Sequence, residues 1–309
     1  MNIVFLVAAE RGLRCLNSAL THLTDSDTVT VFTFHETNWE PKYVNKIKLL
    51  SNKYKVRSFV TTKVHDEKYA SYFGENVDII FVIGWRYMIP RSVYQKAKVG
   101  CFVFHDSYLP RYRGFGPTVW AMRNGESYTG TTLFKISEKV DEGPVLFQEK
   151  VTITNDDYIG DVVEKITVAN EKLIVLALNI LKKNNFKLLE QDHKQATYTC
   201  KNIPSDFLID WNLSAKNILC LIKSYSRPYP GAYTYFKKTK FVIYKACIDC
   251  DDNKYIGYVP GRVKSINADG TVSIFCGDGI ALKLEEVNYK ETNIAPSYSI
   301  KSVGDNLGE

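Results

Sequence analysis

The stretch CFVFHDSYLPRYRG, residues 101–114, decides how this chain folds. It opens as an apolar run, ends on His105, and then crowds Asp106, Ser107, Arg111 and Arg113 into a loop stiffened by Pro110. A strand that is apolar on both faces belongs in a parallel sheet covered on each side by helices. Ligands of such sheets bind beyond the carboxyl ends of the strands, which is where His105 falls. Side chains alternate along a strand, so Val103 and His105 point to one side of the sheet and Phe102 and Phe104 to the other.

Outward from that strand the pattern repeats. NIVFLVAA (2–9), TVTVFTF (28–34), KVRSFVTT (55–62) and VDIIFVIG (77–84) are runs of the same kind, with helix-compatible RCLNSALTHL (14–23) and MIPRSVYQKAK (88–98) between them. TGTTLFKIS (129–137) and GPVLFQEKVTI (143–153) read as two further strands joined by EKVDEG, and residues 159–181 have helical spacing. After CKNIPSD (200–206) the texture changes to one helical segment, SAKNILCLIKSY (214–225), a turn RPYPG (227–231), and short strands separated by turns such as ADG and GDG. The expectation is an α/β domain over residues 1–203 followed by a small β-rich domain over 204–309, with the tail from Ala295 poorly ordered unless it docks.

Composition narrows the class. With 45% hydrophobic and 24% charged residues the chain is an ordinary globular one rather than a disordered one. The formal net charge of +6 suits phosphorylated small molecules, while the basic residues are scattered and form no tract of the kind that grips nucleic acid. Seven cysteines, an odd number at low density, fit a reducing cytoplasm. Cys247 and Cys250 form a lone C-x-x-C without a second pair or a nearby His, short of the four ligands of a structural zinc site, so no metal is expected. No run reaches the ~20 apolar residues of a membrane span.

Two residues stand out chemically. His105 is presented at a strand end, and VDEG places Asp141 in a tight turn between two strands. A carboxylate brought beside an imidazole orients it, the arrangement of a base with its partner. The structural alternative for Asp141 is a turn aspartate serving the loop alone.

Residues 104–148, FHDSYLPRYRGFGPTVWAMRNGESYTGTTLFKISEKVDEGPVLFQ, resemble the core signature of the 10-formyltetrahydrofolate-dependent formyltransferases, in which H-x-S-L-L-P-x-Y-R-G precedes a W-A-I-x-N-G-E run and a D-x-G turn. Residues 209–236, IDWNLSAKNILCLIKSYSRPYPGAYTYF, resemble the carboxyl-terminal domain of the methionyl-tRNA and sugar-nucleotide formyltransferases. The resemblance implies a Rossmann-like formyltransferase domain with a mostly parallel sheet and a small OB-like domain after it. It implies N10-formyltetrahydrofolate as the formyl donor and a catalytic trio of Asn, His and Asp. The last two map onto His105 and Asp141, and the Asn maps onto Val103. Valine neither donates nor accepts a hydrogen bond, and losing one oxyanion donor costs about 10²–10³ in rate. Either Ser107, Thr132, Lys135 or a backbone N–H replaces it, or the enzyme is crippled.

By the same resemblance, Trp85, Met88 and Ile89 line the folate pocket together with Lys135 and Asp141, the alternative for WRYMI being a helix start over the sheet. Ser107, Arg113, Thr132 and Tyr229 are expected against the substrate. Arg11 and Arg14 face a folate glutamate tail, a substrate phosphate or solvent. Methionyl-tRNA formyltransferases carry a glycine-basic insertion after the second strand, where this chain has HETNWEPKYVNKIKLL (35–50). The resemblance therefore points to a sugar N-formyltransferase acting on a dTDP- or UDP-linked amino sugar, an activity of lipopolysaccharide or O-antigen sugar biosynthesis. It leaves a tRNA enzyme and a non-catalytic folate or nucleotide-sugar binder as alternatives. Open sheet edges make a homodimer the expected assembly, with no nucleic acid and no membrane as partners.

Overall fold

The computed structural model describes residues 1–38, 40–74, 76–251 and 253–308. The chain divides into two compact units. The first comprises Met1–Pro117, Tyr128–Thr152 and Val163–Cys200, and the second comprises Thr118–Ser127, Ile153–Val162 and Lys201–Glu309. The last change of unit, at Cys200, lies beside the boundary expected at 203, whereas the two short excursions have no signal in the sequence.

Up to residue 200 the elements run β1 (Asn2–Val7), α1 (Ala9–Leu20), β2 (Thr28–Thr33), α2 (Val44–Lys53), β3 (Arg57–Val60), β4 (Ile79–Ile83), α3 (Arg91–Tyr94), β5 (Gly100–His105) and β6 (Arg113–Gly114). They continue with α4 (Pro117–Arg123), β7 (Tyr128–Lys135), β8 (Val145–Thr152), α5 (Ile159–Lys182) and β9 (Tyr198–Thr199). Seven strands form one sheet in the order β3-β2-β1-β4-β5-β7-β8, parallel as far as β5 and antiparallel beyond it. This is the parallel sheet that the apolar runs predict and the Rossmann-like, mostly parallel arrangement that the resemblance implies.

Both faces of the sheet are covered. Phe102 and Phe104 join Phe5 and Phe81 in a cluster with Cys15, Leu16 and Ala19 of α1 and Leu173, Ile174 and Ala177 of α5. On the opposite face Val4, Leu6, Ile80 and Val82 pack with Tyr69 and Phe73, and Val103 packs at the margin of that cluster. The period-2 alternation read from residues 101–105 thus holds in the packing. α1 buries Gly12, Cys15, Leu16, Ala19 and Leu20, the spacing that puts one stripe of a 3.6-residue helix on a sheet.

The strand order reverses between β1 and β4, which opens a crevice at their carboxyl ends. Gly84, just after β4, approaches the end of β1 closely. Its φ is +68°, and a Cβ there would stand 2.5 Å from the Ala8 carbonyl oxygen, so this end of β4 tolerates glycine alone.

The second unit carries α6 (Ala215–Ser224), capped by Ser214, and the strands β10 (Ala232–Phe236), β11 (Thr239–Ile248), β12 (Val263–Ile266), β13 (Val272–Phe275), β14 (Ala281–Tyr289) and β15 (Thr292–Ile294). They form an antiparallel sheet in the order β10-β11-β14-β13-β12, with β15 on β14. The tail docks: Ile300 and Leu307 are buried, and the Leu307 and Gly308 amides donate to the carbonyls of Gly261 and Tyr235. Among the described residues no helix is long and apolar enough to cross a membrane.

Candidate active site

His105 ends β5, where the sheet's central strands stop, and pairs across to Thr132 of β7. Its ring is nearly enclosed, with the residue 8% exposed. The Nε2 atom lies 2.8 Å from the carbonyl oxygen of Tyr112. A carbonyl can only accept, so Nε2 carries the hydrogen of that bond. That leaves Nδ1 as the nitrogen able to take up a proton, and Nδ1 faces Asp141 Oδ2 at 3.5 Å. The separation is an ion-pair distance rather than a hydrogen bond, so the carboxylate stabilises an imidazolium electrostatically without already occupying the nitrogen.

Asp141 is placed by its turn and by β6. Its φ is +54°, a left-handed conformation that an aspartate tolerates at some cost, and its Oδ2 accepts the Gly114 amide at 2.8 Å. On the other side of His105, Asp106 pairs with Arg11 in the first turn of α1, which ties the loop after β5 to the β1 end of the crevice. The arrangement offers one proton acceptor, one fixed negative charge beside it, and an imidazole whose far nitrogen is anchored. That is the equipment of general acid–base catalysis.

Residues 1–178, more than half of the chain, match the family model for formyl transferase, and residues 202–300 match that for the formyl transferase C-terminal domain. The chain belongs to the formyl transferase family. Among its relatives, the methionyl-tRNA formyltransferase of Kosmotoga olearia is 32% identical over 225 residues, covering 73% of this chain and 71% of the relative. The bifunctional polymyxin resistance protein ArnA of Wigglesworthia glossinidia brevipalpis is 29% identical over 300 residues, covering 94% of this chain. The chain spans only 43% of that larger relative's length. Among solved structures, the sugar 3N-formyltransferase WlaRD, determined with dTDP and 5-N-formyl-THF, superposes with a TM-score of 0.67 at 16% identity over 94% of this chain and 98% of its own. At that identity it shows a shared fold.

The structure sorts the remaining sequence-predicted residues of this family member. Trp85 and Met88 lie in the loop after β4, at the crevice: Trp85 Nε1 is buried with no hydrogen-bond partner among the described residues, and Met88 is 79% exposed. Ile89 does not share that position, because it is buried in the core with Val82 and Val93. Ser107 and Thr132, expected against the substrate, are buried and fasten the loop instead. Ser107 Oγ donates to the Arg111 carbonyl at 2.7 Å, and Thr132 Oγ1 donates to the Ser107 carbonyl at 2.7 Å while accepting from the Leu109 amide and Gln148 Nε2.

Lys135 is a larger correction. β7 runs antiparallel to β5, so its carboxyl end returns toward the start of β5, and Lys135 Nζ donates to the Val99 carbonyl at 3.0 Å. Val99 and His105 are six strand positions apart, on the order of 20 Å, so the ammonium serves neither folate nor an oxyanion at the rim. Arg14 is likewise committed. Its guanidinium donates to Glu164 and Glu171 of α5, which hold its pKa well above the ordinary value and join the two helices. Arg113, expected against the substrate, is fully buried and donates to Gln191 and Tyr198. Tyr229 belongs to the second unit, where its ring stacks on Tyr225 with centroids 5.4 Å apart.

Sequence reasoning missed the groups that fix the pair: the Tyr112 carbonyl, the Gly114 amide and Gln191. Two are backbone groups, which carry no side-chain signature. Gln191 lies in the stretch EQDHKQATYTC, whose strand β9 is two residues long and shows no periodicity.

Proposed function

We propose that the protein transfers a formyl group from N10-formyltetrahydrofolate to the amine of a nucleotide-linked amino sugar, a dTDP- or UDP-sugar, in the cytoplasm. The observation that carries this reading is His105 Nδ1 facing Asp141 Oδ2 at 3.5 Å while Nε2 is anchored on Tyr112. The loop after β4 fits a flat heteroaromatic donor, since it offers an unpartnered indole N–H at Trp85 and the exposed thioether of Met88. When bound, the donor supplies an activated one-carbon electrophile. His105 Nδ1 takes the proton that the attacking amine loses, and Asp141 stabilises the imidazolium so formed. As the amine nitrogen bonds to the formyl carbon, the bond from that carbon to N10 would break, and His105 Nδ1 would pass its proton to the departing N10 so that tetrahydrofolate leaves. The likeness in fold to WlaRD, a sugar 3N-formyltransferase determined with dTDP and 5-N-formyl-THF, supports both ligand classes.

The 32% identity to a methionyl-tRNA formyltransferase favours a second reading. Against it, the charges of the segment before α2 are paired within the protein. Glu36 accepts the Tyr43 and Val44 amides, Lys42 donates to the carbonyls of Glu36 and Thr37, and Glu40 pairs with Arg86. Phosphate-driven binding needs clustered, outward cations. Incubation with 10-formyltetrahydrofolate and a panel of amino-sugar nucleotides tests the proposal, with formylated sugar and free tetrahydrofolate expected. Steeply salt-dependent binding and formylation of initiator methionyl-tRNA, with no product across the sugar panel, would replace it with the second reading. We propose a homodimer as the assembly, checked by sedimentation.

A further inference from the structure

Arg113 is a fully buried permanent cation, so every one of its contacts is structural. Its Nε and Nη2 donate to Gln191 Oε1 at 3.2 and 2.7 Å, its Nη1 donates to the Tyr198 hydroxyl at 3.0 Å and stands 3.3 Å from Glu142 Oε1, and Nη2 lies 3.0 Å from His193 Nδ1. With its oxygen held by the guanidinium, Gln191 presents its amide nitrogen in the other direction, where Nε2 donates to the carbonyls of Asp141 at 2.9 Å and Gly143 at 2.7 Å. The opposite amide orientation would set N–H groups against the guanidinium and an oxygen against two carbonyls, so Arg113 fixes which way Gln191 points. That amide staples the turn on both sides of Glu142. The turn needs the staple: Asp141 is held at a positive φ, and Gly143 is pressed so closely to β7 that a Cβ would stand 1.8 Å from the Lys135 carbonyl oxygen. The residue after Arg113, Gly114, supplies the amide that holds the Asp141 carboxylate.

We propose that Arg113 and Gln191 form a buried positioning pair that sets where the Asp141 carboxylate stands relative to His105 Nδ1, and so governs turnover rather than substrate binding. Only the kinetic part of this rests on the formyl-transfer reading. Gln191→Glu tests it, because a carboxylate keeps an acceptor for Arg113 but removes both N–H donors to the turn. The expected result is a folded protein whose kcat falls about 10- to 100-fold with KM within about threefold, and whose Gly114 amide exchanges with solvent about tenfold faster. Arg113→Lys, which keeps the charge but not the fork, is read by the same measurements if Gln191→Glu does not fold. A folded variant with unchanged Gly114 exchange and kcat within about twofold of the parent overturns the proposal. Absence of any product from the parent protein would defeat the formyl-transfer reading instead, and the exchange measurement would still decide the positioning role.

Discussion

Val103 stands where the resemblance implies the amide of a catalytic trio, and the three side chains that could replace it are occupied elsewhere. Ser107 and Thr132 hold the loop together, and Lys135 points to the far end of the strand. Val103 itself packs against Leu109, Phe134 and Val145. Val103→Asn is therefore expected to raise kcat by about tenfold or more while lowering stability by about 1–3 kcal/mol, read by steady-state kinetics and thermal unfolding. An unchanged rate would mean that a backbone N–H already fills the role. Thr132→Val separates fastening from substrate contact. It leaves the Leu109 amide, the Ser107 carbonyl and Gln148 short of a partner, so a loss of at least about 2 kcal/mol is expected in denaturant unfolding with KM little changed. At this scale His105 and Asp141 were legible from a strand end and a turn. The roles of Lys135, Ser107, Thr132 and Arg113 were not, because a residue's type does not tell which way its strand runs or whether its polar atoms are already occupied.

Among the elements, the parallel strands and α5 were legible because buried strands and long helices carry strong periodic signals. The two-residue strands β6 and β9, which pair Arg113 with Tyr198 and Gly114 with Thr199, carry none, yet they hold the Asp141 turn. A second anchor lies at the end of α5. Asp27, with its side chain 3% exposed, accepts the Met1 ammonium at 2.9 Å, Lys182 Nζ at 2.5 Å and the Thr24 amide at 2.9 Å. Burial alone would raise its pKa, but Lys182, Thr24 and the amino terminus outweigh it and hold the carboxyl well below the usual carboxylate range. Because the folded value lies below the unfolded one of about 3.9, the stabilisation is fully present above that pH and is lost as pH falls toward the folded value. Asp27→Asn is expected to destabilise the protein by about 2 kcal/mol at neutral pH, and that difference should shrink below about pH 4. Thermal unfolding of both proteins between neutral and acid pH checks it, and a difference independent of pH would remove Asp27 from the account.

For the whole molecule, a family membership and a fold follow from two matched domains, while chemistry follows from one rim of one sheet. Total charge pointed toward phosphorylated ligands, but it could not show that Arg14 and Arg113 are tied to protein partners. The most direct test of the central claim is the single-turnover rate of formyl transfer from 10-formyltetrahydrofolate to an amino-sugar nucleotide, followed by mass spectrometry for the parent and for Asp141→Asn. The asparagine keeps an oxygen for the Gly114 amide but no charge for His105. The account predicts formylated sugar from the parent and a rate about 10²–10⁴ lower in the variant with ligand affinity retained. An Asp141→Asn protein that transfers the formyl group as fast as its parent would contradict it.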